Sequence, residues 1–318
     1  MQLQNNREVR KSQDITQYDQ KKLRSYLLAD SFRRLGHYEG RANRVLSCGH
    51  YLEFASHKDT GESHLIGADF CRDRLCPMCN WRRSLRVFSD LSKVLSLVTG
   101  DDSPYVPVFL TLTVRNSAPD QLRQELVSMT AAWNRFCKIL PVKRAFVGWF
   151  RCLEITYNRK DNTMHPHFHV VMIARQGYFK SDDYLSVHKI VKYWRQALMA
   201  DYDPVCHIRR VRGKSDKSES VKSAVLEVAK YAVKDTDYLI EHDDELTDYL
   251  VDNLAVGLNG ARLIAYGGIL KKIAAAIKSS EDVDDFSKIR EQLQNDHFVY
   301  IISRFRWTAG IGKYKAEL

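Results

Sequence analysis

The stretch His165-Pro166-His167-Phe168-His169-Val170-Val171-Met172-Ile173 sets histidines at every second position and then runs into an apolar series. A period of two is that of a β-strand, whose successive side chains point to opposite faces. His167 and His169 therefore share one face, and Phe168 and Val170 the other. Two imidazoles fixed on rigid backbone converge on one point, which is what a divalent cation requires of its ligands. A lone strand histidine is ordinarily a hydrogen-bonded structural residue, so the pairing carries the reading.

The segment before it, Trp149-Phe150-Arg151-Cys152-Leu153-Glu154-Ile155-Thr156-Tyr157, also reads as a strand, with the polar residues 158–163 as a hairpin loop between the two. A turn centred near Asp161 and Asn162 sets Glu154 across from His169. A carboxylate flanked by apolar Leu153 and Ile155 is out of place on a solvated strand, which makes Glu154 the candidate third ligand.

The chain has 318 residues, enough for a substantial core, and a formal charge of +10. That charge is uneven: residues 1–100 carry +6 (17 basic, 11 acidic), residues 101–240 carry +7 (22 and 15), and residues 241–318 carry −3 (10 and 13). The excess accompanies the histidine strand and favours a polyanionic partner. No run of about 18 apolar residues suggests a membrane span. The first residues lack the apolar core of a signal peptide, so a cytoplasmic protein is expected. Seven cysteines, an odd number, fit reduced thiols or metal ligation better than a disulfide framework.

Three of those cysteines lie in Cys71-Arg72-Asp73-Arg74-Leu75-Cys76-Pro77-Met78-Cys79, where the last pair has the two-residue gap of a zinc knuckle. Cys48 supplies a fourth thiolate, with His50 as the alternative, and a structural Zn²⁺ site follows. A redox Cys-x-x-Cys leaves Cys71 unexplained. Residues 44–54 alternate like a strand, residues 81–98 read as a helix, and residues 99–104 as a linker. The segment 106–116 is a strand with Leu110, Leu112 and Val114 on one face and Thr111 and Thr113 on the other. Helices are expected over 120–140 and 184–199, a short basic strand from His207, and a terminal strand over 300–307. The sum is an α+β fold with helices packed on one face of a mainly antiparallel sheet. Three segments are expected: 1–100 with the zinc element, 101–240 with the histidine strand, and a helical extension over 241–318.

A further helix, residues 220–234, turns Val221, Ala224, Val225, Val228 and Ala232 to the sheet. Glu227 and Tyr231, four apart, share a neighbouring stripe, and Lys234 follows three residues on. A phenol beside an ammonium group is a competent nucleophile towards phosphorus once a metal polarises the phosphate, although a helical Tyr is more often a boundary residue of the core.

The ordered set Phe109-Leu-Thr-Leu-Thr-Val-Arg-Asn116, Leu153-Glu-Ile-Thr-Tyr-Asn158, His165-Pro-His-Phe-His169 and Glu227-Val-Ala-Lys-Tyr-Ala-Val-Lys234 resembles the rolling-circle replication initiators of small bacterial plasmids. These belong to the His-hydrophobe-His (HUH) endonuclease superfamily. The Cys76-Pro77-Met78-Cys79-Asn80-Trp81-Arg82 element is similar to theirs as well. The resemblance implies a ferredoxin-like core of five antiparallel strands with the histidines on a central strand. It implies His167 and His169 as ligands of Mg²⁺ or Mn²⁺, with Glu154 the candidate third, and Tyr231 as the nucleophile that nicks origin DNA, single-stranded at the nick, leaving a 3′-OH and a 5′-phosphotyrosine. Glu227 then stands where two-tyrosine relatives carry a second tyrosine, and activates water for the closing cleavage. With no Gly-rich phosphate loop in the chain, a host helicase is the implied partner. A conjugative relaxase or single-strand transposase uses the same chemistry. A non-catalytic zinc-stabilised DNA-binding regulator leaves Glu154, His167, His169 and Tyr231 unexplained, and an iron oxygenase with two His and one carboxylate leaves the basic charge unexplained.

Overall fold

A computed structural model of the chain describes residues 15–99, 102–210, 233–278 and 298–317, with positions 225, 228, 286, 290, 291 and 293. It forms two compact units, each assembled from separate stretches: residues 1–82, 241–251 and 281–318 make the first, and residues 83–240 and 252–280 the second.

The second unit is built on five strands, β3 (Tyr105–Thr113), β4 (Phe146–Asn158), β5 (Thr163–Arg175), β6 (Cys206–Arg210) and β7 (Ile264–Gly267). They lie in the order β6-β3-β5-β4-β7, and every pairing is antiparallel. The histidine strand β5 is thus the middle one, flanked by β3 and β4, as the resemblance implies. On one face Phe168 meets Trp133 of the helix Leu122–Phe136 edge-on, with ring centroids 6.0 Å apart. Trp194 of the helix Val187–Leu198 packs edge-on to Phe136 at 5.8 Å and donates its indole N–H to the Thr113 carbonyl at 2.8 Å. The sequence predicts a helical layer on one face only; this layer is present, and the opposite face is covered as well.

The other face carries Phe109, Phe150, Cys152, Val171 and Ile173. They form one core with Val87, Leu91, Val94 and Leu95, with Leu270 and Ala274 of the helix Gly268–Lys278, and with Val225 and Val228. A second helical layer therefore covers the part of this face beyond the histidines. Coverage on both sides explains why β5 runs from alternation into unbroken apolar sequence after His169. The last strand comes from residues 264–267. Gly268, at φ 56°, admits the backbone approach to β4: a Cβ there would fall 2.2 Å from the Val147 carbonyl oxygen.

In the first unit, β1 (Tyr51–His57), β2 (Ser63–Ala68), β8 (Tyr300–Thr308) and β9 (Lys313–Glu317) form an antiparallel sheet in the order β2-β1-β8-β9. The terminal strand expected at 300–307 is β8, and it pairs with β1 from the opposite end of the chain. Residues 44–47, expected as strand, are instead the end of the helix Glu39–Ser47. Ala42 and Val45, three apart, are both fully buried, which is helical spacing. Only after Gly49, at φ 62°, does the chain become extended. No helix among the described residues is long and apolar enough to cross a membrane.

Candidate metal centre

The strand period and the hairpin between them assemble the site. β4 and β5 pair so that Glu154 lies opposite His167 and Cys152 opposite His169. This corrects the expected register, in which Glu154 opposes His169, by two residues. The loop is residues 159–162, with Asn162 in the left-handed region at φ 49°, and the Asn158 side chain accepts from the Lys160 N–H at 3.1 Å. A slip of two conserves face, so Glu154 still stands beside both imidazoles, where a slip of one would have sent it through the sheet.

The three side chains are buried and their donor atoms converge. His169 Nε2 lies 2.6 Å from Glu154 Oε2, His167 Nε2 lies 3.2 Å from the same oxygen, and the two Nε2 atoms are 3.2 Å apart. His167 Nδ1–H donates to the His165 carbonyl at 3.1 Å. A carbonyl can only accept, so this bond puts the proton on Nδ1 and leaves the Nε2 lone pair for the centre. Three electron-rich atoms this close require a cation among them: a proton on His169 Nε2, or a metal ion that displaces it. Two imidazoles and one carboxylate are borderline ligands suited to a divalent ion with open coordination positions.

His165 stands outside this triad. Its Nδ1 bonds the Asn116 side-chain oxygen at 2.6 Å, and its ring stacks on His167 with centroids 5.2 Å apart. Burial, then the neighbouring His167, holds the His165 imidazole below its usual range. Asn116 in turn donates to Thr163 Oγ at 3.2 Å. Asn116 has no role legible in sequence beyond its position at the end of the strand motif. Glu227 and Tyr231 lie outside the described residues. Lys234 is exposed and begins the turn that carries Asp237. Burial pushes the Asp237 carboxyl up, Lys234 and Thr236 draw it down, and Glu154 raises it again, so this turn lies within the field of the centre. Asp237 carries no motif and was not legible beforehand.

In the first unit the four predicted cysteines come together. Cys48 Sγ lies 3.4 Å from Cys79 Sγ and 3.6 Å from Cys76 Sγ, and Cys71 Sγ lies 3.6 Å from Cys79 Sγ. Tetrahedral zinc with Zn–S bonds of about 2.3 Å sets its sulfurs about 3.8 Å apart, so the cluster fits the ion closely. Cys48, not His50, completes the set. Backbone N–H groups of Cys71, Arg72 and Asp73 point at Cys48, Cys79 and Cys71 sulfurs at 3.2–3.5 Å, which favours thiolates. Shared hydrogen bonds with the other thiols, then burial, push the Cys48 thiol up. Four thiols this close cannot all ionise without a cation between them. Arg41 grips Asp73 with two bonds of 2.8 and 3.0 Å, and buried Lys22 donates to the Cys48 carbonyl at 2.7 Å. Neither support has a sequence signature.

The family model described as "Replication protein" matches residues 62–315. A "Protein rep" from Bacillus amyloliquefaciens is 35% identical over 294 residues, 86% of this chain and 85% of the relative. Another from Streptococcus pneumoniae is 34% identical over 281 residues, 84% and 85%. A third from Lactiplantibacillus plantarum is 37% identical over 249 residues, 77% of each. No solved structure matches the chain.

Proposed function

Because the chain belongs to the replication protein family, we propose that it initiates rolling-circle replication of a plasmid by nicking one strand of the origin and holding the new 5′ end on a tyrosine. The observation that carries this reading is the convergence of Glu154, His167 and His169 on one point of the central strand pair. These three residues would hold Mg²⁺ or Mn²⁺, and a cation there supplies neutralisation of the scissile phosphate.

Tyr231 is the proposed nucleophile. Its phenolic oxygen forms a bond to phosphorus, the bond from phosphorus to the 3′ oxygen breaks, and the phenolic proton is balanced by protonation of that oxygen, giving a 3′-OH that primes synthesis. Two described neighbours bracket Tyr231. Val228 is helical and packs in the core on the sheet face that bears the triad, and Asp237 is within the field of Glu154. Lys234 contributes a positive charge beside the phosphate, and Glu227, four residues before Tyr231 in sequence, takes a proton from water in the closing cleavage. The four cysteines hold a structural Zn²⁺, the origin DNA is single-stranded at the nick, and a host helicase separates the duplex.

The test is nicking of an end-labelled single-stranded origin oligonucleotide with Mn²⁺ or Mg²⁺. Wild-type protein is expected to nick only with metal, and His167→Ala and His169→Ala to lose nicking by a factor of about 100 or more, while duplex binding through basic side chains is retained. Undiminished nicking by both variants, or in excess chelator, overturns the reading.

A further inference from the structure

By strand alternation, Trp149 and Arg151 project from β4 to the face opposite Glu154 and the histidines. There a cleft of about 590 Å³ is lined by Arg123, Arg151, Arg262, Trp133 and Trp149 among others. Its volume lies within the range of small-ligand sites. Arg151 is 2% exposed and sits over the Phe168 ring at 4.4 Å. Its Nη1 makes a long bond of 3.5 Å to the Arg262 carbonyl, and its Nε is buried without a partner among the described residues. Trp133 is 1% exposed, and its indole N–H is likewise buried with no partner among them. Two buried donors at the floor of one cleft call for an acceptor.

The charges point the same way. No carboxylate among the described residues pairs with Arg123, Arg151 or Arg262, and Arg123 uses Nη1 on the carbonyls of Val256 and Asn259 at 3.1 and 2.9 Å. Burial, then repulsion from Arg262, pulls the Arg151 guanidinium down to about 10. Three guanidinium groups gathered without a counter-charge, beside a partly exposed indole, match a ligand with an anionic and an aromatic part. The indole is also fixed: Gly267 lets Trp149 lie so close that a Cβ there would fall 2.1 Å from the ring. An immobile aromatic surface is what base stacking needs.

We propose that this cleft binds a nucleotide, its phosphate held by Arg123, Arg151 and Arg262 and its base packed on Trp149. The nucleotide is either free or one unit of a single strand. In the second case the sheet would grip DNA on the face away from the cut.

The test uses the full chain with its zinc in place and no added Mg²⁺ or Mn²⁺, following tryptophan quenching on titration with thymidine 5′-monophosphate and, separately, with oligo(dT). Arg262→Ala removes an exposed side chain, and each lost arginine–phosphate contact is expected to weaken binding by about tenfold, with the double variant Arg123→Ala/Arg262→Ala weaker still. Monophosphate binding that falls in these variants supports a free nucleotide. Binding of oligo(dT) alone that falls in them supports a nucleotide within a strand. If neither probe binds, or if affinities are unchanged in both variants, the proposal is overturned. His169→Ala, measured alongside, keeps the cleft's affinity whether or not nicking survives, so this result is independent of the metal centre.

Discussion

Glu154→Gln distinguishes a metal ligand from a structural ion pair. The carboxylate is 4% exposed, with one oxygen 2.6 Å from His169 Nε2 and 3.2 Å from His167 Nε2. Gln keeps the shape and an oxygen that accepts from His169, but loses the charge that attracts a cation. Substituting partners of metal ligands costs about 10–100-fold in affinity, and loss of a ligating carboxylate should cost at least about 100-fold. With Mn²⁺ at about 100 times the wild-type Kd, binding stabilises the wild type by about 2.7 kcal/mol and the variant by about 0.4 kcal/mol. At about 2–4 °C per kcal/mol, the wild-type Tm rises by about 5–10 °C and that of the variant by about 1–2 °C. Without metal the two melt alike, or the variant melts slightly higher, because a neutral amide replaces a buried charge. A structural pair behaves in the opposite way, losing about 3–5 kcal/mol when one partner is removed. Thermal melts with and without Mn²⁺ decide the matter. Equal metal-induced shifts, or a large metal-free loss in the variant, refute the reasoning.

Purified protein is expected to hold about one tightly bound zinc by elemental analysis, and Cys76→Ser to lower zinc content and stability where Cys137→Ser does not; metal-free native protein would contradict this. Lys22→Met should cost about 1–3 kcal/mol in denaturant melts, since it leaves the buried Cys48 carbonyl and the partly buried Leu46 carbonyl without their donor. Glu227→Gln should leave first cleavage intact and slow hydrolytic release by about 100-fold, as loss of a general base does. Loss of both steps together would make Glu227 a ligand or structural residue, and loss of neither would assign termination to another group.

The site was legible because its chemistry is written in a period of two: His167 and His169 share a face, and Glu154 joins them for any loop that shifts the register by an even number of residues. The loop itself was not legible, since the choice of a four-residue turn rests on Asn158 side-chain bonds and the left-handed Asn162. Residues 44–47 misled because a short apolar-polar alternation fits strand and helix alike, and burial of Ala42 with Val45 decides between them. Strand β7 is four residues long, too short for periodicity to register. The pairing of β1 with β8 joins residues about 250 apart in sequence, and no local pattern encodes such a contact. Arg151 read as an ordinary strand residue because its lack of a counter-charge is a property of the packed structure alone.

The proposal for Tyr231 is tested most directly by incubating the full chain with Mn²⁺ and single-stranded origin DNA, isolating the covalent adduct, and mapping it by mass spectrometry. A 5′-phosphate on Tyr231, absent from Tyr231→Phe while that variant melts like the wild type, is the predicted result. An adduct that persists in Tyr231→Phe, mapped to half-buried Tyr193 or to fully buried Tyr238, would contradict it.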